Sequence, residues 1–474
     1  MFKMKAQTLL PIVLCSLMMA CIGVHEESDI TAIKGATIFD GNGDSIANGV
    51  IVTKAGVIDC IGEESSCSIP SEAKVIDASG KYVTPGLVDA HMHFFQTAFF
   101  DSRPDALDLN ETYPISEVTA YQRQNPQRYY DSYLCSGITA VYDVGGMSWS
   151  IDLQEEAEKN PKAPHVAAAG PLLTPASGAP FDLPSDKVLV HLNSEEAGVK
   201  TVQYLSDLGS TGIKFWQIRS NDAEYMSYIE AASAEIKKKG NQMIAHATTL
   251  DQAKAALKNG TRLLVHSVEN TDVDEEFIRL AKENGTYYNP TLVVGSGYTV
   301  ARRAAADIEA FKINDPNGCV DAKTRELMET ASQFKDHPRL TDNVKNRLRQ
   351  YDSETDRVSE QQLRNLKRLY DEGVKIVVGT DAGNPGTLHG ISIYEEMKAM
   401  QSAGIAPEDL IVMATKNGAE SMRRGNDFGT LEKGKFANLI IMDSNPSEDI
   451  SNMKTITHTM IKGKLMKVDE ILKE

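Results

Sequence analysis

The sequence predicts an α/β fold, a (β/α)8 TIM barrel with a small β-sandwich domain formed by both chain ends. Two observations support this prediction. In the middle of the chain, short apolar runs alternate with longer amphipathic patterns, which is typical of a barrel of parallel strands and helices. At both ends, short β-branched runs are separated by Gly, Asn and Asp, and such runs predict a small all-β unit.

Eight apolar runs supply the predicted barrel strands, and they lie at 87–91, 138–144, 165–169, 212–216, 243–245, 263–265, 287–294 and 375–379. Helical patterns separate them, for example at 195–208 and 223–238. Because a barrel of this kind has its active site at the carboxyl ends of the strands, residues that close these runs are candidates for chemistry. The Lys-, Arg- and Glu-rich segment at about 299–372 is long for one connection. We expect it to be an insertion that covers one side of the barrel mouth.

The N-terminus resembles that of a bacterial lipoprotein. Lys3 and Lys5 precede an apolar run at 9–19 that is too short to span a bilayer. Ala20 stands before Cys21, so Cys21 is the predicted lipidation site, with simple secretion after cleavage near Ala20 as the alternative. The residue after Cys21 is not Asp, and we therefore expect a periplasmic protein anchored to the outer membrane rather than a secreted soluble one.

These segments give the predicted domain order. It is a signal peptide at 1–20, a lipoprotein tether at 21–30, an N-terminal β-sandwich segment at 31–84, the barrel at 85–424 and a C-terminal β-sandwich segment at 425–474.

Composition narrows the classes of partner. Of 474 residues, 41% are hydrophobic and 24% are charged, which excludes a disordered or fibrous protein. Asp and Glu number 66 against 49 Lys and Arg, a net charge of −17, so the phosphates of nucleic acid would be repelled. No apolar stretch after the first 20 residues is long enough to cross a bilayer. We therefore expect no nucleic acid partner and a membrane contact only through the lipid anchor.

Cysteine usage leaves one question open. Cys60 and Cys67 flank a polar turn and could close a small loop in an oxidising periplasm. The sequence does not decide whether they pair.

Four histidines and one aspartate close predicted barrel strands. His91 and His93 are two residues apart, so both side chains project from the same face of a strand. His246 and His266 close the fifth and sixth runs, and Asp381 follows the eighth. Four imidazoles and one carboxylate at one barrel mouth suit a borderline divalent ion such as zinc.

Together these elements resemble the metal-dependent amidohydrolase superfamily. The resemblance rests on PGLVDAHMH at 85–93, the two single histidines, Asp381 and GTLEKGKFANLIIMD at 429–443, and it covers about 31–464. It implies a hydrolase that cleaves C–N bonds with metal-activated water.

Lys214 decides between subtypes of this superfamily. It lies in the apolar run TGIKFW at 211–216, where an isolated buried ammonium is costly, unless the side chain reaches outward to solvent. By resemblance, Lys214 is carboxylated by CO2 and its carbamate bridges two divalent ions, expected to be zinc. The resemblance assigns His91, His93 and Asp381 to one ion and His246 and His266 to the other.

The resemblance also implies roles around the metals. Asp381 would transfer the proton, with metal ligation alone as the alternative. The expected substrate is a small-molecule amide, a dipeptide or an N-acyl amino acid. From their places after or on the predicted strands, Arg219, Tyr288 and His389 are candidate substrate contacts, with a structural or surface role as the alternative for each. Ala247-Thr248-Thr249 after His246 departs from the dipeptidase pattern, which weakens a prolidase assignment.

Two other functions stay open at this point, as does a homo-oligomer. One is a cyclic-amide hydrolase like imidazolonepropionase, and the other is a metal-dependent binding lipoprotein without turnover.

The anchor leads to a testable prediction. Because several acyl chains hold a protein stably at a bilayer, the wild type should sediment with membranes and Cys21→Ser should move to the soluble fraction. Fractionation of cells expressing each form measures this. Equal soluble fractions for the two forms would replace the lipoprotein with a simply secreted protein.

Overall fold

A computed structural model describes residues 29–178, 180, 181, 183, 186–352 and 358–472. The predicted signal peptide at 1–20 and Cys21 lie outside these residues, so the lipoprotein stays a prediction. None of the described helices is long and apolar enough to cross a membrane.

The described chain begins with five strands of an all-β unit. They are β1 (Ile30–Phe39), β2 (Ser45–Lys54), β3 (Val57–Glu63), β4 (Lys74–Asp77) and β5 (Tyr82–Pro85). β1 pairs with β2 in antiparallel fashion and with β4 and β5 in parallel fashion. Their β-branched residues suit a pleated, half-buried surface.

Ten further strands follow between the two β-rich ends. They are β6 (Leu87–Met92), β7 (Ile138–Asp143), β8 (His165–Ala168), β9 (Leu172–Thr174), β10 (Leu189–His191), β11 (Ile213–Phe215), β12 (Met243–His246), β13 (Leu263–Val265), β14 (Tyr287–Asn289) and β15 (Lys375–Ile376). All eight predicted barrel strands are present. The predicted run at 287–294 is a strand only as far as Asn289, because Pro290 follows and Val294 starts a helix.

The barrel strands are β6, β7, β8, β11, β12, β13, β14 and β15, and their pairings are parallel. The Thr211 N–H donates to the Ala168 carbonyl at 2.9 Å next to β8 and β11. The Asp381 N–H donates to the His91 carbonyl at 2.7 Å and closes the barrel. The predicted barrel is confirmed.

Strands β9 and β10 were not predicted. They pair with each other in parallel, and Leu173 of β9 pairs with Phe215 of β11. They extend the chain after β8 over the barrel mouth, where Leu172 and Leu189 line a cavity.

Helices surround the strands. In chain order they are α1 (Ile115–Gln124), α2 (Gln127–Cys135), α3 (Leu153–Lys159), α4 (Glu195–Asp207), α5 (Ala223–Lys238), α6 (Leu250–Lys258), α7 (Glu275–Asn284), α8 (Val294–Ala305), α9 (Ala322–Glu329), α10 (Asp342–Gln350), α11 (Glu360–Asp371), α12 (Ser392–Ser402), α13 (Pro407–Val412), α14 (Gly418–Ser421) and α15 (Val468–Ile471). Side chains of Ser194, Asp222, Thr249 and Asp274 accept hydrogen bonds from backbone N–H groups and cap α4 to α7. The helices predicted at 195–208 and 223–238 are confirmed within one residue.

The long connection between β14 and β15 contains α8 to α11. The sequence places this insertion at about 299–372, whereas α8 already starts at Val294. Val294 and Tyr298 line the cavity at the barrel mouth, so α8 contributes one wall of it.

The chain end completes the β domain with β16 (Leu439–Met442), β17 (Ile456–Ile461) and β18 (Lys464–Lys467). β16 pairs with β5, and the eight strands from both ends form one continuous sheet. A buried cluster that includes Ile33, Ile51, Val83, Leu439 and Met460 joins residues from both ends of the chain. Both ends therefore build one β domain, as predicted.

Two disulfides occur among the described residues. Cys60 pairs with Cys67, which the sequence left open. Cys135 at the end of α2 pairs with Cys319, 184 residues later, just before α9. The second bond ties the insertion to the barrel wall.

The two disulfides should differ in their effect on stability. Closing a longer loop removes more entropy from the unfolded chain. For loops of 184 and 7 residues, the stabilisation from this entropy loss differs by about 3 kcal/mol. The double variant Cys135→Ala/Cys319→Ala should lose that much more unfolding free energy than Cys60→Ala/Cys67→Ala in urea titrations. Equal losses would mean that the longer disulfide does not constrain the unfolded chain.

Candidate metal centre

A cavity of about 290 Å³ opens at the carboxyl ends of the barrel strands. The six residues predicted to hold the metals all line it: His91, His93, Lys214, His246, His266 and Asp381. They come from the ends of five different strands, so the barrel and not local sequence brings them together.

His91, His93 and Asp381 form the tightest part of this group. Their candidate ligand atoms all lie within 4.8 Å of one another. Asp381 Oδ1 lies 3.2 Å from His91 Nε2 and 2.9 Å from His93 Nε2. Two imidazole nitrogens and one carboxylate oxygen therefore point at one place, as metal ligands do.

The outer ring nitrogens of three histidines are held by other groups. His91 Nδ1 lies 3.0 Å from Asn289 Oδ1, and His93 Nδ1 lies 2.5 Å from the Gly145 carbonyl. His266 Nδ1 lies 2.8 Å from Thr291 Oγ1. Such contacts orient each ring and leave Nε2 for an ion.

The four imidazoles follow one another across the cavity. Ring centroids are 5.2 Å apart between His93 and His91, 5.2 Å between His91 and His266, and 4.3 Å between His266 and His246. The row begins with His93 and His91, next to Asp381, and ends with His266 and His246. The described residues contain one group that meets the distance criterion for a metal site, His91, His93 and Asp381, and His266 and His246 lie next to it.

Lys214 is buried at the same place, with 2% of its surface exposed. Its side-chain amine makes no hydrogen bond or ion pair with a described residue. Burial lowers the pKa of Lys214 to about 7, against the opposing charges of Asp381 and Asp143. Burial is also the main cause that lowers the pKa of His91, His246 and His266, and the charge of Lys214 lowers each of them further. The amine therefore lies within electrostatic reach of His91 in the first pair and of both histidines in the second.

Electrostatics favour a positive charge beside Asp381. Burial lowers the pKa of His93, but its ring contacts with Asp143 and Asp381 raise it to about 9. Burial alone would raise the pKa of Asp381, but His91 and His93 hold it well below its usual range. In contrast, burial lowers the pKa of His246 to about 3. A divalent ion bound here would displace the His93 proton, since ligand imidazoles must be neutral, and would itself supply the positive charge beside Asp381.

The loop after β15 is held in an unusual backbone conformation. The backbone of Asp381 has a positive φ of 61°, and so does that of His266 after β13, with 76°. Residues other than glycine rarely adopt positive φ, and those that do cluster at functional sites. Thr380 N and Oγ1 donate to the buried Asp89 carboxylate at 3.0 and 2.7 Å. A Cβ on Gly383 would come within 2.8 Å of the His93 carbonyl. The loop is thus fixed against β6 and holds Asp381 in place.

The three predicted substrate contacts do not line the cavity. Tyr288 alternates with Asn289 on β14, so it points outward and packs on Phe277 of α7, with 6.2 Å between ring centroids. The His389 Nε2–H donates to the His93 carbonyl at 3.1 Å, and the ring stacks on Tyr129 behind the ligands.

Arg219 also lies elsewhere. It lines a separate surface cavity with His191 and Asp222. Gln217 has a positive φ of 67° and turns the chain away from the barrel mouth after β11. Arg219, Tyr288 and His389 therefore lie outside the cavity that the predicted metal ligands line, and their contact with a substrate stays a prediction.

Three other polar residues, Arg103, Tyr298 and Asn384, line the cavity beside Asp381. Arg103, from the loop after β6, donates through Nη1 to Asn384 Oδ1, and Tyr298 OH donates to the same oxygen at 2.8 Å. Asn384 Nδ2 donates to Asp381 Oδ1 at 2.7 Å. The sequence analysis did not single out these residues, because they lie on loops and on α8 without a periodic pattern.

An apolar wall completes the cavity. It consists of Phe95, Leu172, Phe181, Val188 and Leu189. Phe95 lies 6.1 Å from the His93 ring and 6.3 Å from the Phe181 ring, centroid to centroid.

Comparison with known proteins agrees with this geometry. An ochratoxinase from Aspergillus niger is 24% identical over 483 aligned residues, covering 94% of this chain and 88% of the relative. An imidazolonepropionase from Brevibacillus brevis is 22% identical and covers 84% of each chain. The crystal structure of a Xaa-Pro dipeptidase with bound methionine superposes with a TM-score of 0.67 at 24% identity, covering 92% of this chain and 100% of that one.

The sequence profile of the amidohydrolase family matches residues 82–466, from β5 through the barrel to β18. The chain therefore belongs to the amidohydrolase family and is a hydrolase of carbon–nitrogen bonds.

Proposed function

We propose that this enzyme hydrolyses the amide bond of a dipeptide or an N-acyl amino acid with two divalent ions, expected to be zinc. The observation that carries the proposal is Lys214, a buried amine without a hydrogen-bond or ion-pair partner among the described residues, within electrostatic reach of histidines in both pairs.

The donor set fits two ions. His91, His93 and Asp381 would hold the first, and His246 and His266, 4.3 Å apart, would hold the second. The pKa of Lys214 is about 7. At a pH close to this value, a large fraction of Lys214 is the neutral amine, which is the form that reacts with CO2. Its carbamate would add the bridging oxygens, and an isolated buried amine would gain a partner.

When bound, two divalent ions would lower the pKa of a water molecule and polarise the substrate carbonyl. Asp381 then moves the proton, from the attacking water to the leaving nitrogen. His91 and His93 hold its pKa well below the usual range, so the carboxylate is ionised. Asn384 Nδ2 donates to Asp381 Oδ1 and keeps the carboxylate in one orientation during this transfer.

Relatives and chemistry both support the substrate class. A dipeptidase is among the structural neighbours, and the cavity combines an apolar wall with a charged end. A cyclic-amide hydrolase like the imidazolonepropionase relative is the alternative. It is less well supported, because a site for one ion gives Lys214 no role.

We also propose that the enzyme works in an oxidising compartment, the periplasm, on a lipid anchor at Cys21. The two disulfides among the described residues support this location, since such bonds persist in exported proteins.

Asp381→Asn tests the proton transfer. The amide keeps an oxygen near the metals but removes the base, so kcat on the best member of a panel of dipeptides and N-acyl amino acids should fall about 10²- to 10⁴-fold. Circular dichroism would verify the fold.

The matched control is Asp443→Asn, which removes an exposed carboxylate of the β domain that pairs with Lys81. It should retain wild-type turnover. Near wild-type turnover of Asp381→Asn would assign proton transfer to another group, and no turnover of the whole panel by metal-loaded wild type would reject the proposed substrate class.

A further inference from the structure

The cavity has a charged end whose purpose the metal chemistry does not explain. Arg103 lies there, and its guanidinium is 5.5 Å from the Tyr298 ring centroid. Its Nε and Nη2 donate to Asp105 at 2.8 and 2.6 Å, and Nη1 donates to Asn384. These bonds fix the guanidinium at the cavity wall.

Arg103 retains unused donors. A guanidinium has five N–H groups, and the bonds to described residues use three of them. One N–H on each of Nη1 and Nη2 has no partner among the residues that the structure describes. Two neighbouring N–H groups of an arginine can hold both oxygens of one carboxylate.

The connection to Asp381 sets the orientation of a substrate. The side-chain amide of Asn384 connects Arg103 to Asp381: its oxygen accepts from Arg103 and its nitrogen donates to Asp381. In an amino acid, the nitrogen and the carboxylate are likewise joined through one carbon. If the leaving nitrogen lies at Asp381 to receive its proton, a carboxylate on the adjacent carbon comes within reach of Arg103.

The opposite side of the barrel mouth suits the other half of the substrate. Leu172, Phe181 and Leu189 follow the third barrel strand, whereas Tyr298 and Asn384 follow the seventh and eighth. In a ring of eight strands, the third and seventh face each other. An apolar acyl group can therefore lie against the Phe95 wall while the amino acid lies at Arg103.

We propose that Arg103, with Tyr298 beside it, binds the α-carboxylate of the leaving amino acid and makes the enzyme specific for amides with a free carboxylate on the amine side and an apolar acyl group. The inference rests on the proposed function. In the reaction, water adds its oxygen to the acyl carbon, the C–N bond breaks, and the leaving nitrogen gains a proton. The products are an apolar carboxylic acid and a free amino acid.

The test uses the metal-loaded enzyme and a panel of N-benzoyl amino acids, each compared with its carboxamide, with benzoate release as the readout. Wild type should prefer the acids in kcat/KM by about 10- to 100-fold, the usual worth of a charge-assisted hydrogen-bond pair. Arg103→Met should abolish that preference by raising KM for the acids more than for the carboxamides, because any loss through Asn384 and Asp381 falls on both series alike.

Arg302→Met is the matched control. Arg302 lies 5.6 Å from the same Tyr298 ring but lines a different cavity, so this variant should keep the preference. If Arg103→Met does not fold, Arg103→Lys replaces it, because lysine keeps the charge without the paired N–H groups and should give an intermediate preference.

Equal turnover of acids and carboxamides by wild type would overturn the proposal, as would an equal loss on both in a folded Arg103→Met, which would make Arg103 a structural partner of Asp105. These results leave amide hydrolysis intact. If wild type hydrolysed dipeptides but neither N-benzoyl series, the proposed preference for an apolar acyl group would fail. No turnover of any of these amides would reject the proposed function and the carboxylate subsite with it.

Discussion

The cost of burying an amine without a partner is the constraint on which the site depends. Lys214 is 2% exposed and lies at the end of an apolar strand, where an isolated ammonium is strongly disfavoured. Burial lowers its pKa to about 7, which makes the neutral amine available. Conversion to a carbamate held by two cations would give this position a balanced set of charges. The histidine pairs and Asp381 supply the remaining ligands around it.

The barrel holds the ligand side chains around Lys214 in fixed positions. Hydrogen bonds between β6 and the loop after β15 bring Asp381 to His91 and His93. Asn289, Gly145 and Thr291 hold the outer ring nitrogens. His91, His93 and His266 are thus each fixed twice, by their strand and by a neighbouring strand or loop. A site held in this way binds an ion with little further ordering.

Sequence analysis could predict those regions of the site that depend on local pattern. The two-residue spacing of His91 and His93 places both on one strand face, and Asp381 follows an apolar run whose end is visible in the sequence. The eight strands follow from the same alternation. The assignment of Lys214 needed the family resemblance as well, since a lysine in an apolar run can be either buried or extended to solvent.

The features that sequence analysis missed depend on long-range contacts. Arg103 lies on a loop and meets Asn384, 281 residues later, only in the folded chain. Cys135 and Cys319 are also far apart in sequence and give no local signal. Arg219 follows the Lys214 strand, but the positive φ of Gln217 directs it to another surface. A positive φ can be expected from residue type at glycine and, less often, at asparagine, but not at a glutamine.

The central claim is that Lys214 lies between two metal ions, and anomalous diffraction at the zinc edge from crystals of the zinc-loaded enzyme tests it most directly. The account predicts two peaks about 3.5–4 Å apart, one at His91, His93 and Asp381 and one at His246 and His266, with density extending from Lys214 Nζ to both. A single peak at the first group, with an unmodified Lys214 side chain, would contradict it.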